Sequence, residues 1–187
     1  MTMEPKTSPI DELVDPSCDY EGTRIVPAMV GADELPAPCR ELLAHDMDMT
    51  STLEAYFNES LRLKVLNKRV DGDVMYRQVL LVGCDTGRVV EYGAIHIDLS
   101  CFDDRFRKLV EECRVPLGAI LRDPKTQYKS EPSAYLRLKA EPPFNTLLGC
   151  DPGTELFGRR NILSTLEGKT IARIVEVLPC LKAERDT

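Results

Sequence analysis

Between residues 61 and 99 the chain carries three strand-like runs separated by two tight turn signals, and nothing else in it restricts the fold so much. The runs 61–70, 74–83 and 88–99 alternate apolar and polar side chains, and Asp71-Gly72 and Asp85-Thr86-Gly87 separate them. Such short, glycine-bearing loops supply the positive-φ positions that a hairpin needs. Strands joined that way pair antiparallel, because a parallel pair needs a crossover of a dozen or so residues. This part of the chain therefore predicts an antiparallel meander.

The flanking segments add helices without a regular β-α-β alternation. Cys39, Leu42 and Leu43 stand at helical spacing, and Ser51-Thr52-Leu53-Glu54 has the form of a capping box that opens a second helix through Tyr56 and Phe57. Phe102, Phe106, Leu109 and Val110 repeat with the helical period over residues 101–113. Val115-Pro116-Leu117-Gly118 ends that helix and begins a short apolar piece at 119–121. A polar stretch at 122–131 leads to a strand at 134–138, a proline-bearing connection spans 141–153, and a last hairpin joins 161–165 to 170–178 across Glu167-Gly168. The expected class is α+β with an antiparallel sheet.

The 187 residues fit one domain, with 43% hydrophobic and 29% charged side chains, an ordinary globular balance. Residues 1–35 are rich in Pro, Ser, Asp and Glu and read as a disordered or loosely packed extension ahead of a domain at 36–182. No segment is apolar for long enough to span a membrane, and the N-terminus lacks the basic start and apolar stretch of a secretory signal, so a cytoplasmic protein is expected. Seven cysteines without a C-x-x-C pair suit reduced thiols, and the two histidines, His45 and His96, have no metal-ligand spacing, so neither a metal nor another cofactor is expected. No dinucleotide-binding or P-loop glycine pattern occurs. The formal charge of −7 argues against nucleic acid as a partner and requires that any anionic ligand be held by a few local cations.

Two charges stand in apolar company. On the run 74–83, Arg77 shares a face with Met75, Val79 and Leu81; on the last run, Glu176 shares a face with Ala172, Ile174 and Leu178. A buried guanidinium must be compensated, because an isolated buried charge costs several kcal/mol or more. Arg77 either snorkels at a sheet edge, pairs with Glu176 in a buried salt bridge, or clamps a carboxylate of a ligand. Glu176 either pairs with a cation or has its pKa raised, as a candidate acid or base. Arg159 and Arg160 follow Gly158, and as neighbours on a strand they point to opposite faces, so at most one reaches the pocket of Arg77. Met47 and Met49 would ordinarily be core filler, and His96 a packed or exposed strand residue.

Taken in order, Met49, Arg77 in Tyr-Arg-Gln-Val-Leu-Leu, Pro116-Leu117-Gly118, Leu156-Phe157-Gly158-Arg159-Arg160 and Glu176 in Val-Glu-Val-Leu-Pro resemble the chorismate-pyruvate lyases. The chain is most similar to their uncharacterised bacterial relatives, through Glu91-Tyr92-Gly93-Ala94-Ile95-His96, and the similarity covers about residues 37–179. The resemblance implies a chorismate lyase-like fold, an antiparallel sheet of about six strands rolled around an internal cavity with helical flaps. It implies a cofactor-free lyase that eliminates pyruvate from chorismate to give 4-hydroxybenzoate. Arg77 would then hold the ring carboxylate, Met49 and Leu117 would offer backbone N–H groups, Glu176 would move the proton, and Arg159 or Arg160 would meet the enolpyruvyl carboxylate. The alternative is a non-catalytic domain of the same fold that binds a small aromatic acid or carboxylate, as in the ligand-sensing domains of some bacterial transcription factors.

Overall fold

A computed structural model of the chain describes residues 27–122 and 127–181. Seven strands, β1 (Ala28–Val30), β2 (Leu61–Asp71), β3 (Val74–Gly83), β4 (Val89–Asp98), β5 (Tyr128–Lys139), β6 (Glu155–Thr165) and β7 (Thr170–Val177), form one sheet in the order β1-β5-β6-β7-β4-β3-β2. Every pairing is antiparallel. The β2-β3-β4 meander forms as the turn signals predict, with Gly72 at φ 58° and Gly87 at φ 68° supplying the left-handed positions. Five α-helices among the described residues accompany the sheet: α1 (Cys39–Leu43), α2 (Met49–Phe57), α3 (Asp104–Glu112), α4 (Leu117–Leu121) and α5 (Phe144–Leu148). The architecture is α+β as expected, but with seven strands rather than about six, and the sheet stays open, with β1 and β2 at its edges.

The additional strand comes from the segment expected to be an extension. Residues 1–26 lie outside the described residues, but Ala28–Val30 pairs with residues 135–137 of β5 and Leu35 is fully buried. Three residues are too few to show a hydrophobic period, which is why β1 has no signature in the sequence. β5 is also longer than expected, because the polar residues 128–131 continue the strand to a register shift between Pro132 and Ala134, where the missing N–H of proline is tolerated. The cap of α2 is Asp48 rather than Ser51: its carboxylate accepts from Ser51 N at 2.9 Å and from Ser51 Oγ at 2.7 Å.

Both faces of the sheet are covered. On one, Leu80, Val82, Tyr92, Ala94, Val175 and Val177 pack beneath α5, whose Phe144 meets Tyr92 edge to face at 5.1 Å. On the other, two apolar clusters stand side by side. α3 and α4 bring Val110, Leu117, Ile120 and Leu121 onto Met75, Ile97 and Leu163. α1 and α2 bring Leu42, Leu43 and Leu53 onto Leu61, Leu81 and Leu178. Each such leucine contributes roughly 1.5–3 kcal/mol by leaving water. The seam between the two clusters is where the buried charges collect.

Candidate functional site

Strand register sets the geometry of the seam. Arg77, Ile95, Ile174 and Asn161 form one row across β3, β4, β7 and β6. The next row is Val79, Gly93, Glu176 and Arg159, and Leu81 opposite Glu91 begins a third. Because side chains alternate, all these residues face the same side of the sheet, in rows about 7 Å apart. Over them lie the start of α2 and the start of α4. These roof pieces meet where Asp48 lies against Gly118, so closely that a Cβ on Gly118 would come within 2.8 Å of Asp48 Oδ1. Arg122, at 3.8 Å from Asp48 and 3.6 Å from Glu54, ties the joint further.

The cavity beneath them is about 60 Å³, several waters' worth. Met49, Arg77, Leu117 and Glu176 all line it. So do Asp48, Glu91, Ser130 and Asn161, four polar residues that the sequence pattern did not place there. Asn161 Nδ2 donates to Ser130 Oγ at 3.0 Å, which fixes the polar end of the first row.

Arg77 is 2% exposed and has no carboxylate partner among the described residues. Its Nη1 donates to Cys113 Sγ at 3.6 Å, a weak contact, while Nε and Nη2 have no hydrogen-bond partner there. Burial pulls its pKa down, and Cys113 only partly opposes this. The expected alternatives of a snorkelling arginine and of an Arg77–Glu176 salt bridge both fall to this geometry.

Glu176 is instead paired with Arg159, Nε to Oε2 at 2.5 Å, with Arg159 fully buried. The same guanidinium donates to the main-chain oxygens of Leu43 at 3.1 Å, His45 at 2.8 Å and Met47 at 3.4 Å. Arg159 thus fastens the chain entering α2 to the sheet and does not line the cavity. Arg160 alternates to the opposite face and does not line it either. Met49 is buried as core filler would be, whereas Met47 is 57% exposed. His45 lies against Arg159, and burial first and that cation second push its pKa below 6.5, which keeps the imidazole neutral.

Glu91 is the residue whose role the sequence left unmarked. It is 4% exposed, and its Oε2 has no partner among the described residues. Burial, and then the Glu176 carboxylate, push its pKa well above 4.5, with Arg159 offsetting only part of the rise. Its signal was the alternation that marked Arg77: Glu91 shares a face with Gly93, Ile95 and Ile97. Glu176 is answered by Arg159 and Asp48 caps α2 beside Arg122, so among the carboxylates that line the cavity none is ion-paired with Arg77.

No family model and no curated protein sequence matches the chain. Solved structures do. The effector domain of PhnF from Mycobacterium smegmatis superposes with a TM-score of 0.54 at 14% identity, over 72% of this chain and 89% of that one. The structure of PhnF itself gives 0.53 at 12% identity, over 74% and 69%. A gene product of Staphylococcus aureus gives 0.53 at 12% identity, over 73% and 90%. PhnF is a GntR-family regulator. The expectation of a chorismate lyase is corrected accordingly, because the matched structures are those of regulators and their effector domains. The Arg159 ion pair adds a physical reason, since it commits the carboxylate that was expected to shuttle a proton. The exclusion of nucleic acid as a partner is corrected on the same finding, because a charge of −7 describes this chain alone. No helix among the described residues is long and apolar enough to cross a membrane. At these identities the likeness establishes the fold alone: the chain has the chorismate lyase-like fold of the effector domain of PhnF.

Proposed function

We propose that this chain is a non-catalytic effector-binding domain that takes a small organic anion into the cavity around Arg77 and passes its occupancy to a DNA-binding partner unit. One observation carries the reading: a guanidinium 2% exposed, with two N–H-bearing nitrogens unpartnered and no ion-paired carboxylate among the described residues, lines the cavity. A buried cation in that state costs the fold stability, and a ligand carboxylate, phosphonate or sulfonate would offset that cost through bidentate hydrogen bonds. The first-turn N–H groups of Met49 and Leu117, which have no intrahelical acceptor, stand beside the same space and can add to the anion's contacts. Small ligands of this kind bind in enclosed, mostly apolar pockets with a few fixed polar groups.

The coupling follows from the roof. An anion in contact with Arg77 and the starts of α2 and α4 touches both roof pieces at once, so occupancy favours the arrangement in which they meet. A ligand shifts a conformational equilibrium only through such differential contacts.

The test is a calorimetric panel of small carboxylates, phosphonates and sulfonates on the wild-type chain and on Arg77→Met. Binding of at least one anion that the variant loses supports the reading. Failure of every anion, or undiminished binding by Arg77→Met, overturns it. Chorismate incubated with the chain is expected to persist, and release of pyruvate from it would overturn the non-catalytic assignment.

A further inference from the structure

Beyond the anion at Arg77, the cavity has a second polar end. We infer that Glu91 reads a neutral hydroxyl or carbonyl group on the ligand, so that the effector is a small monoanion with such a group at the end remote from its acid. The inference rests on the proposed function for its first half, the anion at Arg77.

The register places the two poles. Arg77 lies opposite Ile95 and Glu91 opposite Leu81, four residues further along β3, so their backbones are about 13 Å apart along the strands. Between them lies the row of Val79, Gly93 and the Arg159-paired Glu176, and Ile95 and Ile174 stand beside Arg77 in its own row. A ligand that satisfies both poles therefore has a short body with a polar group at each end.

Gly93 gives Glu91 its place. It stands between Val79 and Glu176 in the middle row, and a Cβ there would lie 3.3 Å from both Glu91 Oε1 and Val79 Cγ2. The side chain of Glu91 thus borders the gap left by the glycine, within the field of Glu176. Glu91 is buried beside the Glu176 carboxylate, and Arg159 is committed to Glu176 by the 2.5 Å ion pair. Glu91 is the one that keeps its proton. A neutral carboxylic acid donates one hydrogen bond and accepts another, which suits a hydroxyl or a carbonyl. A second ligand carboxylate at that end would meet the charge of Glu176 with no free cation to answer it.

Three probes of equal length separate these cases on the full chain at pH 7.5: hexanoate, 6-hydroxyhexanoate and adipate. The hydroxy acid is expected to bind about tenfold tighter than hexanoate, the usual worth of one hydrogen bond to an otherwise unsatisfied buried group. Adipate is expected to bind no tighter than hexanoate. Glu91→Leu should bring the two monoanions to equal affinity while hexanoate still binds, and Glu91→Gln, which keeps a donor, should retain most of the preference. Equal affinities in the wild type, or a preference that survives in Glu91→Leu, overturn the inference and leave the anion site at Arg77 standing. If neither monoanion binds, this ligand class is wrong, and the broader anion panel with Arg77→Met still decides the proposed function by itself. The ratio of the two monoanion affinities in the wild type decides the matter even if Glu91→Leu does not fold.

Discussion

Arg159 Nε and Glu176 Oε2 lie 2.5 Å apart at directly opposed positions of β6 and β7, and the same arginine side chain holds the main-chain oxygens of Leu43, His45 and Met47. One buried guanidinium therefore joins the strand carrying Glu176 to the segment that leads into the roof of the cavity. Arg159→Met would strand the Glu176 charge beside Glu91 and release that segment. The expected loss of stability is about 3–5 kcal/mol in urea denaturation, the usual cost of breaking a buried pair from one side. Arg159→Lys should rescue little, since one ammonium cannot reach a carboxylate and three carbonyls in a fixed fork. A loss under about 1 kcal/mol would show that the pair is dispensable.

Arg77 should behave in the opposite way. Its guanidinium is held among the described residues by the weak 3.6 Å contact to Cys113 Sγ, with Nε and Nη2 left over. Arg77→Met keeps the length and removes a buried charge that has no ion-paired carboxylate among the described residues, so the folded state should gain about 1–3 kcal/mol while anion binding disappears. A higher Tm together with a flat calorimetric trace is the expected pair of observations. A destabilised Arg77→Met chain would mean that the guanidinium is held by contacts that the cavity does not reveal.

Much of the fold was legible because hairpins are local. Gly72, Gly87 and Gly168 sit at positive φ in the turns where the sequence placed them, and the strands they join fall within a residue of the expected bounds except β6, which begins at 155 rather than 161. The inward aspect of Arg77 and Glu176 followed from alternation, which a pleated strand enforces whatever its neighbours are. What could not be read was register between strands far apart in sequence. Whether Glu176 faces Arg77 or Arg159 depends on how β4, β6 and β7 align, and no single run of residues records that. The cap of α2 failed for another reason: Asp48 and Ser51 are both competent caps three residues apart, and only the packing of Asp48 against Gly118 decides between them.

The proton on Glu91 gives folding a pH dependence of defined sign. Its pKa is raised in the folded chain above the ordinary 4.5, so the folded state keeps a proton that the unfolded chain releases above that value. The contribution to stability is fully present below about pH 4.5 and is lost as the pH climbs toward the folded pKa, with a slope of at most about 1.4 kcal/mol per pH unit. Glu91→Gln cannot ionise and should remove that slope. Unfolding free energies of the two chains should converge near pH 4 and separate at pH 7–8, with the variant the more stable. Parallel curves would place the proton elsewhere.

Two glycines of the sheet distinguish a fold requirement from a ligand requirement. Gly158 lies opposite Val177, and a Cβ on it would sit 2.3 Å from the carbonyl oxygen of Glu176 and 3.2 Å from Val177 Cα. These are backbone atoms of a central strand and cannot move aside without opening the β6–β7 pairing that carries the Arg159–Glu176 pair. Gly158→Ala should therefore destabilise by about 1–3 kcal/mol or more, as overpacking of a tight interior does. A Cβ on Gly93 meets only the side-chain atoms Glu91 Oε1 and Val79 Cγ2, each at 3.3 Å, and both can yield by a few tenths of an ångström. Gly93→Ala should leave the melting temperature within a few degrees of wild type, a stability change of under about 1 kcal/mol. The atoms that yield are those that line the cavity, however, so the methyl takes space from the ligand and turns Glu91 from its position. The expected result is a stable chain with anion affinity reduced by about tenfold and with the preference for a terminal hydroxyl lost first. Unchanged binding by Gly93→Ala would place the ligand away from this middle row, and with it away from Glu91.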